Sequence, residues 1–111
     1  MKNTRVLEFN EKIILRAITS ILKERGYEDP KVDLGKGKVE TDYVVEEDFR
    51  TRVEATVKKI GRNEGEVTLS VITEQKSPSG WNPKNIIDKA QYDKFYDEIE
   101  MQSYREIAKG K

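Results

Sequence analysis

Phe49-Arg50-Thr51-Arg52-Val53-Glu54-Ala55-Thr56-Val57-Lys58 is followed, across Gly61-Arg62-Asn63-Glu64-Gly65, by Val67-Thr68-Leu69-Ser70-Val71-Ile72-Thr73. Both stretches alternate with period two. Phe49, Thr51, Val53, Ala55 and Val57 share one face of the first, opposite Arg50, Arg52, Glu54, Thr56 and Lys58. Val67, Leu69, Val71 and Thr73 share one face of the second. Such alternation marks antiparallel strands with one face buried and one wet. Upstream, Val39, Thr41, Tyr43 and Val45 alternate with Glu40, Asp42 and Val44, which adds a third strand and predicts a three-stranded meander. Glu46-Glu47-Asp48 reads as its first turn. Pairing Val45 with Phe49 then sets Asp42 opposite Arg52 on the wet side, a favourable cross-strand pair. The second turn admits two forms, a five-residue loop over residues 61–65 or a three-residue Asn63-Glu64-Gly65 turn with Gly65 left-handed. These keep the same faces and differ in register.

Helices bracket the meander. After a short extended segment, Thr4 to Phe9, Asn10 has the side-chain oxygen of an N-cap. Phe9 and Ile14 stand at the spacing of a hydrophobic staple. Ile14, Ala17, Ile18, Ile21 and Leu22 recur at three- and four-residue steps, one apolar helix face, while Arg16, Thr19, Ser20 and Lys23 face outward. Gly26 supplies the left-handed residue past the C-terminus, so the spacing predicts a helix over 11–25. Residues 27–38 mix Pro30, Gly35 and Gly37 with charges and read as a loop or ragged edge strand. Residues 74–85, with Pro78, Gly80 and Pro83, read as the longest irregular stretch, anchored at its end by Ile86 or Ile87. Asp88 caps a last helix over about 88–108, whose stripe is Tyr92, Phe95, Ile99, Ser103 and Ile107, with Tyr96 and Met101 at its flanks. The expectation is a single α+β domain ordered strand, helix, three-stranded meander and long C-terminal helix, with both helices on one sheet face.

Composition excludes function classes. The 111 residues are enough for one core. Charged residues make up 38% and hydrophobic ones 35%, a thin core under a charged surface. Lys+Arg and Asp+Glu are 21 each, so no net field draws the chain to nucleic acid or an anionic membrane. Arg50, Arg52 and Lys58 share a wet face, but Glu40, Asp42 and Glu54 beside them cancel the field a nucleic-acid stripe needs. Without Cys or His there are no disulfides, no thiolate or imidazole metal ligands and no triad built on a His base.

The chemistry-bearing motifs read as structure. Glu46-Glu47-Asp48 is a solvated turn; it has neither the apolar pocket of a glycosidase acid nor the spacing of an EF-hand. Gly35-Lys36-Gly37-Lys38 contains no phosphate-loop pattern. Ser77, Ser79 and Ser103 have only exposed lysines, Lys76 and Lys84, as bases. No catalytic, cofactor-binding or metal-ligating residue and no cofactor is expected. Trp81, the sole Trp, lies between Gly80 and Asn82-Pro83 and is expected to fold back on Tyr92 and Phe95 with its indole at least half buried; the competing reading is an exposed anchor for a protein. Trp81, Pro83 and Tyr96 are the candidate partner contacts.

Arg5-Val6-Leu7-Glu8-Phe9, the helix end Leu22-Lys23-Glu24-Arg25-Gly26-Tyr27, Gly37-Lys38-Val39-Glu40-Thr41, the Arg-x-Arg-Val of Arg50 to Val53, and Trp81 followed by Tyr92-Asp93-Lys94-Phe95-Tyr96 together resemble the mature domains of small bacterial lipoproteins of unassigned function, similar to the helix-grip domains of the BamC family. The resemblance covers most of the chain and rests on packing motifs. It implies a sheet gripping a long C-terminal helix, no catalytic residues, and a non-enzymatic interaction module of the cell envelope or periplasm. The alternative is a cytosolic protein-binding or regulatory domain. A small-molecule carrier would need a cavity of several hundred Å³ between helices and sheet, which Leu, Ile and Phe side chains are expected to fill. The expected partner is a protein, not nucleic acid. Membrane contact is expected only through a lipid anchor that these residues do not carry.

Overall fold

Each element forms where its residues satisfy both backbone and core. The computed structural model describes residues 2–109. Strand β1 is Lys2–Leu7 and helix α1 is Glu11–Glu24. The Asn10 side chain accepts from the amides of Lys12 and Ile13 at 2.8 and 3.2 Å. At the other end the Gly26 amide donates to Lys23 and the Tyr27 amide to Leu22, a Schellman closure. Gly26 carries φ of 96°, which is why a glycine stands there. Ile14, Ala17, Ile18, Ile21 and Leu22 are all buried, as the periodicity predicts.

Strands β2 (Lys31–Asp33), β3 (Lys38–Glu40), β4 (Val44–Glu46), β5 (Phe49–Gly61), β6 (Glu64–Ser77) and β7 (Gly80–Pro83) follow, then helix α2 (Lys89–Lys109). The fold is α+β: one seven-stranded antiparallel sheet with both helices on one face. The strand order is β1-β6-β5-β3-β2, with β4 also on β5 and β7 also on β6. Val53, Ala55 and Val57 pair with Val71, Leu69 and Val67 beneath the helices, so the predicted faces of the central hairpin hold. Asp88 and Gln91 exchange side-chain and backbone hydrogen bonds at 2.9 Å, a reciprocal cap on α2. Tyr92, Phe95, Ile99 and Ser103 are buried as expected, and Tyr96 joins them.

Three details depart from the sequence reading. The two-residue turn Arg62-Asn63 closes the central hairpin, with a bulge between Lys59 and Gly61. Val57 therefore pairs with Val67, a register tighter than either expected form but of the same parity. The stretch 74–85 is mostly regular. Residues up to Ser77 continue β6, Pro78-Ser79 turns the chain, and β7 returns along it with Trp81 opposite Lys76. Proline suits the first turn position, and Gly80 takes φ of 116° beyond it. Pro83 closes an edge strand, a place where its missing amide costs nothing.

The third departure places the site. The expected single strand over 39–45 is two strands laid end to end on β5. Val39 opposes Ala55 and Glu40 opposes Glu54, but Val44 opposes Thr51 and Val45 opposes Arg50. One extra residue has entered between them, so the turn becomes Glu47-Asp48 and Val45 does not meet Phe49. A one-residue slip sends every later side chain to the other face. Val39 and Thr41 point to the core and are buried, whereas Tyr43 and Val45 emerge on the wet face. Thr41 stabilises the bulge. Its amide donates to the Val53 carbonyl at 3.0 Å, and its hydroxyl accepts the Val53 amide at 2.9 Å, which would otherwise be buried without a partner.

The core cluster places Ile18 wholly out of water, while Lys23 on the same helix is exposed. Ile18→Ala is expected to cost about 2–5 kcal/mol, as for buried Ile deletions generally, and Lys23→Ala less than about 0.5 kcal/mol. Urea denaturation of the two variants checks the face assignment; equal losses would refute it.

Candidate interaction surface

The central hairpin outruns the helices above it. Residues 49–52 and 72–77, with β4 and β7 as outer strands, form a four-stranded arm. The molecule is accordingly elongated, 51 × 25 × 23 Å. On the wet face of this arm the pleat collects Tyr43 and Val45, Arg50 and Arg52, Ile72 and Glu74, Lys76, and Trp81.

Arg50 is the centre. Its guanidinium lies 4.0 Å from the ring centroid of Tyr43 and 4.7 Å from that of Trp81, so the two aromatics flank one cation. The Arg50 Nε donates to Glu74 at 2.6 Å, which leaves the planar faces of the guanidinium for the rings. Arg52 extends the row, 5.7 Å from the Tyr43 centroid, and its Nη1 donates to Glu54 at 2.8 Å. Hydrogen bonding to Glu54 and then to Tyr43 raises the Arg52 pKa above its already high ordinary value, so this cation is permanent. Val45 beside the stack is 60% exposed, and among the described residues no helix covers this face.

Trp81 is partly buried, as expected, but not by the expected neighbours. Pairing with Lys76 puts it on the face opposite Tyr92, whose hydroxyl accepts the Val71 amide at 3.0 Å on the core side. The indole rests on Arg50 rather than on Tyr92 and Phe95. Pro83 follows on the same strand and is exposed. The expectation for Tyr96 as a partner contact is corrected: it is wholly buried, and its hydroxyl is shared between the carbonyl oxygens of Val67, 3.0 Å away, and Asn3. Tyr43, Arg50 and Arg52 were not singled out as a site from sequence. Only the bulge brings Tyr43 to Arg50, and the alternation of residues 39–45 hides it.

On the core side of the arm, where the helices stop, Arg25, Tyr27, Val53, Val71, Ile87 and Phe95 line a recess of about 210 Å³. That is below the roughly 300 Å³ at which small-molecule sites begin. Arg25 lies 4.1 Å over the Phe95 ring and pairs with Glu98, closing the recess from above. Burial raises the Tyr27 hydroxyl pKa. Among the described residues no three acidic side chains converge in a way that would hold a metal ion, and no helix is long and apolar enough to cross a membrane.

No family model matches the chain, and no curated protein matches it. Among solved structures, it is similar to the crystal structure of a TBP-like protein from Parabacteroides distasonis ATCC 8503. The TM-score is 0.49 at 8% identity, over 93% of this chain and 92% of that one.

Two measurements test the geometry. Arg50→Ala removes the cation between Tyr43 and Trp81. It is expected to shift native Trp emission to the red and to cost about 1–2 kcal/mol, from two partly exposed cation–π contacts and their packing; unchanged emission would contradict the stack. Burial pushes the Tyr96 hydroxyl up to about 12. The folded value exceeds the unfolded value of about 10, so the neutral form is favoured by folding. Its stabilising contribution is complete below pH ~10 and is lost as pH rises toward 12. Spectrophotometric titration is expected to show a tyrosine ionising as late as about pH 12, and that component disappears in Tyr96→Phe.

Proposed function

We propose that the domain is a non-enzymatic interaction module of the cell envelope, as the BamC-type resemblance implies, and that it engages a protein through the wet face of the β4–β7 arm. One observation carries the reading: the uncovered row of Trp81, Arg50, Tyr43 and Arg52 beside the exposed Val45. Trp, Tyr and Arg are the residue types that dominate binding hot spots, because each buries a large, stiff surface and keeps a polar handle. Here they are held by one another before any partner arrives, so little side-chain entropy remains to be lost on docking. Pro83 and the bulged Tyr43 fix the two margins of the surface. The Gly35-to-Lys38 turn and the acidic Glu47-Asp48 turn have no such grouping of rings and cations.

A photo-crosslinking residue placed at Val45 in cells of the source organism tests this. The expected result is one discrete adduct with an envelope protein, lost in Trp81→Ala and absent when the crosslinker is moved to Lys58. Adducts of equal yield from both positions would argue against the arm. Recovery of the chain and its adduct wholly in the soluble cytosolic fraction would argue against the envelope and for a cytosolic binding domain.

A further inference from the structure

The sheet ends on β2, and there the helices fail to cover it. β2 pairs with β3 on one side only. Val32 opposes the fully buried Val39, so it points to the helix side, yet it is 42% exposed and Leu34 is 62% exposed. Between them and α1 runs an open groove of about 500 Å³, floored by Leu15 and Thr19 and flanked by Arg16. An edge strand with unpaired backbone groups and exposed apolar side chains, Val32 and Leu34, beside an open groove is a template for another strand.

Its sequence says which strand. Lys31-Val32-Asp33 laid antiparallel to a second copy of itself puts Lys31 opposite Asp33, Val32 opposite Val32 and Asp33 opposite Lys31. Both charged pairs are attractive and the central pair is apolar, the combination that stabilises antiparallel neighbours. One residue further out, Pro30 meets Leu34 on the helix side at both ends. Lysine on an edge strand ordinarily repels an intruding strand; opposite Asp33 it attracts one. The competing ion pair, Lys31 with Asp42 at 3.7 Å, joins side chains 70% and 87% exposed and holds Lys31 weakly. The opposite edge, β1, is better defended. On β1, Arg5 is tied to Asp93 and Asp97 of α2 and lies over the Tyr96 ring.

We propose that two copies of this chain associate through β2 about a two-fold axis at Val32, making one continuous antiparallel sheet across the pair. The contact is isologous and self-complementary, as closed two-fold dimers require. It is also short, so the dimer is expected to be weak and concentration-dependent.

Sedimentation velocity from about 10 µM to about 1 mM, with circular dichroism to confirm the fold, tests the register by charge exchange. The wild type is expected to shift from monomer toward dimer across the range. Lys31→Asp and Asp33→Lys each place like charges across the axis at two positions, and each alone is expected to remain monomeric. Mixed one to one, the two variants again set an acidic strand against a basic one. The aspartate introduced at position 31 of the first meets the lysine introduced at position 33 of the second, and the unchanged Asp33 and Lys31 meet at the other end. The dimer is then expected to return, and the double exchange in one chain is expected to restore it as well. A wild type monomeric throughout overturns the proposal. So does a dimer indifferent to both single exchanges, or single exchanges that break association which neither the mixture nor the double exchange restores.

Discussion

A strand rises about 3.3 Å per residue and a helix about 1.5 Å, so the thirteen and fourteen residues of β5 and β6 extend roughly twice as far as the fourteen of α1. The apolar core on these two strands is confined to Val53, Ala55 and Val57 and to Val67, Leu69 and the partly buried Val71. The arm beyond it must be stable with little apolar core of its own. The arm meets this demand with its own outer strands, β4 and β7, with the facing Thr51 and Thr73 hydroxyls, 3.4 Å apart, on the helix side, and with ring-on-guanidinium contacts on the wet side. The stack on Arg50 packs the wet side of the arm, and it stays open because both helices lie on the opposite face of the sheet.

That stack depends in turn on Thr41. With an uninterrupted ladder Tyr43 would face the core side and Arg50 would have one ring instead of two. The slip costs a regular backbone pair at Val53, and a hydroxyl at residue 41 is the group that can take the freed amide without leaving the strand. A bulge commonly re-aims a side chain, and here the re-aimed side chain, Tyr43, supplies one of the two rings on Arg50.

These relations explain what could be read from residues alone. Face assignment depends on parity, and Val53, Ala55, Val57, Val67, Leu69 and Val71 leave only one parity open, so the central hairpin and its buried side were legible even though its exact register was not. The α1 caps were legible because Asn10 and Gly26 act on neighbours in sequence. Residues 39–45 misled because Tyr43 and Val45 are apolar enough for a core and amphipathic enough for a surface, and a bulge leaves no gap in such a pattern. Residues 74–85 misled through Pro78, Gly80 and Pro83, which are turn and edge residues as well as loop residues. Ser77-Pro78-Ser79-Gly80 between alternating flanks was the available signal for a hairpin. Tyr96 could not be told from a flanking residue because its ring is held by carbonyls of Asn3 and Val67, far away in sequence.

The two surfaces lie at different ends of the sheet, and their geometry combines. A two-fold axis at Val32 that keeps Val32 of both copies on the helix side must stand perpendicular to the sheet. It therefore reverses strand direction but not sheet face. The two arms would project from opposite ends of the continuous sheet while their Arg50 stacks look the same way. A partner carrying two copies of its epitope, or a surface densely covered with it, would meet both stacks at once, and the second contact would form at the high effective concentration set by a rigid sheet rather than a flexible linker. Weak association through β2 would then be strengthened by the partner itself, because whatever holds two arms on one surface also holds two β2 edges in reach of each other.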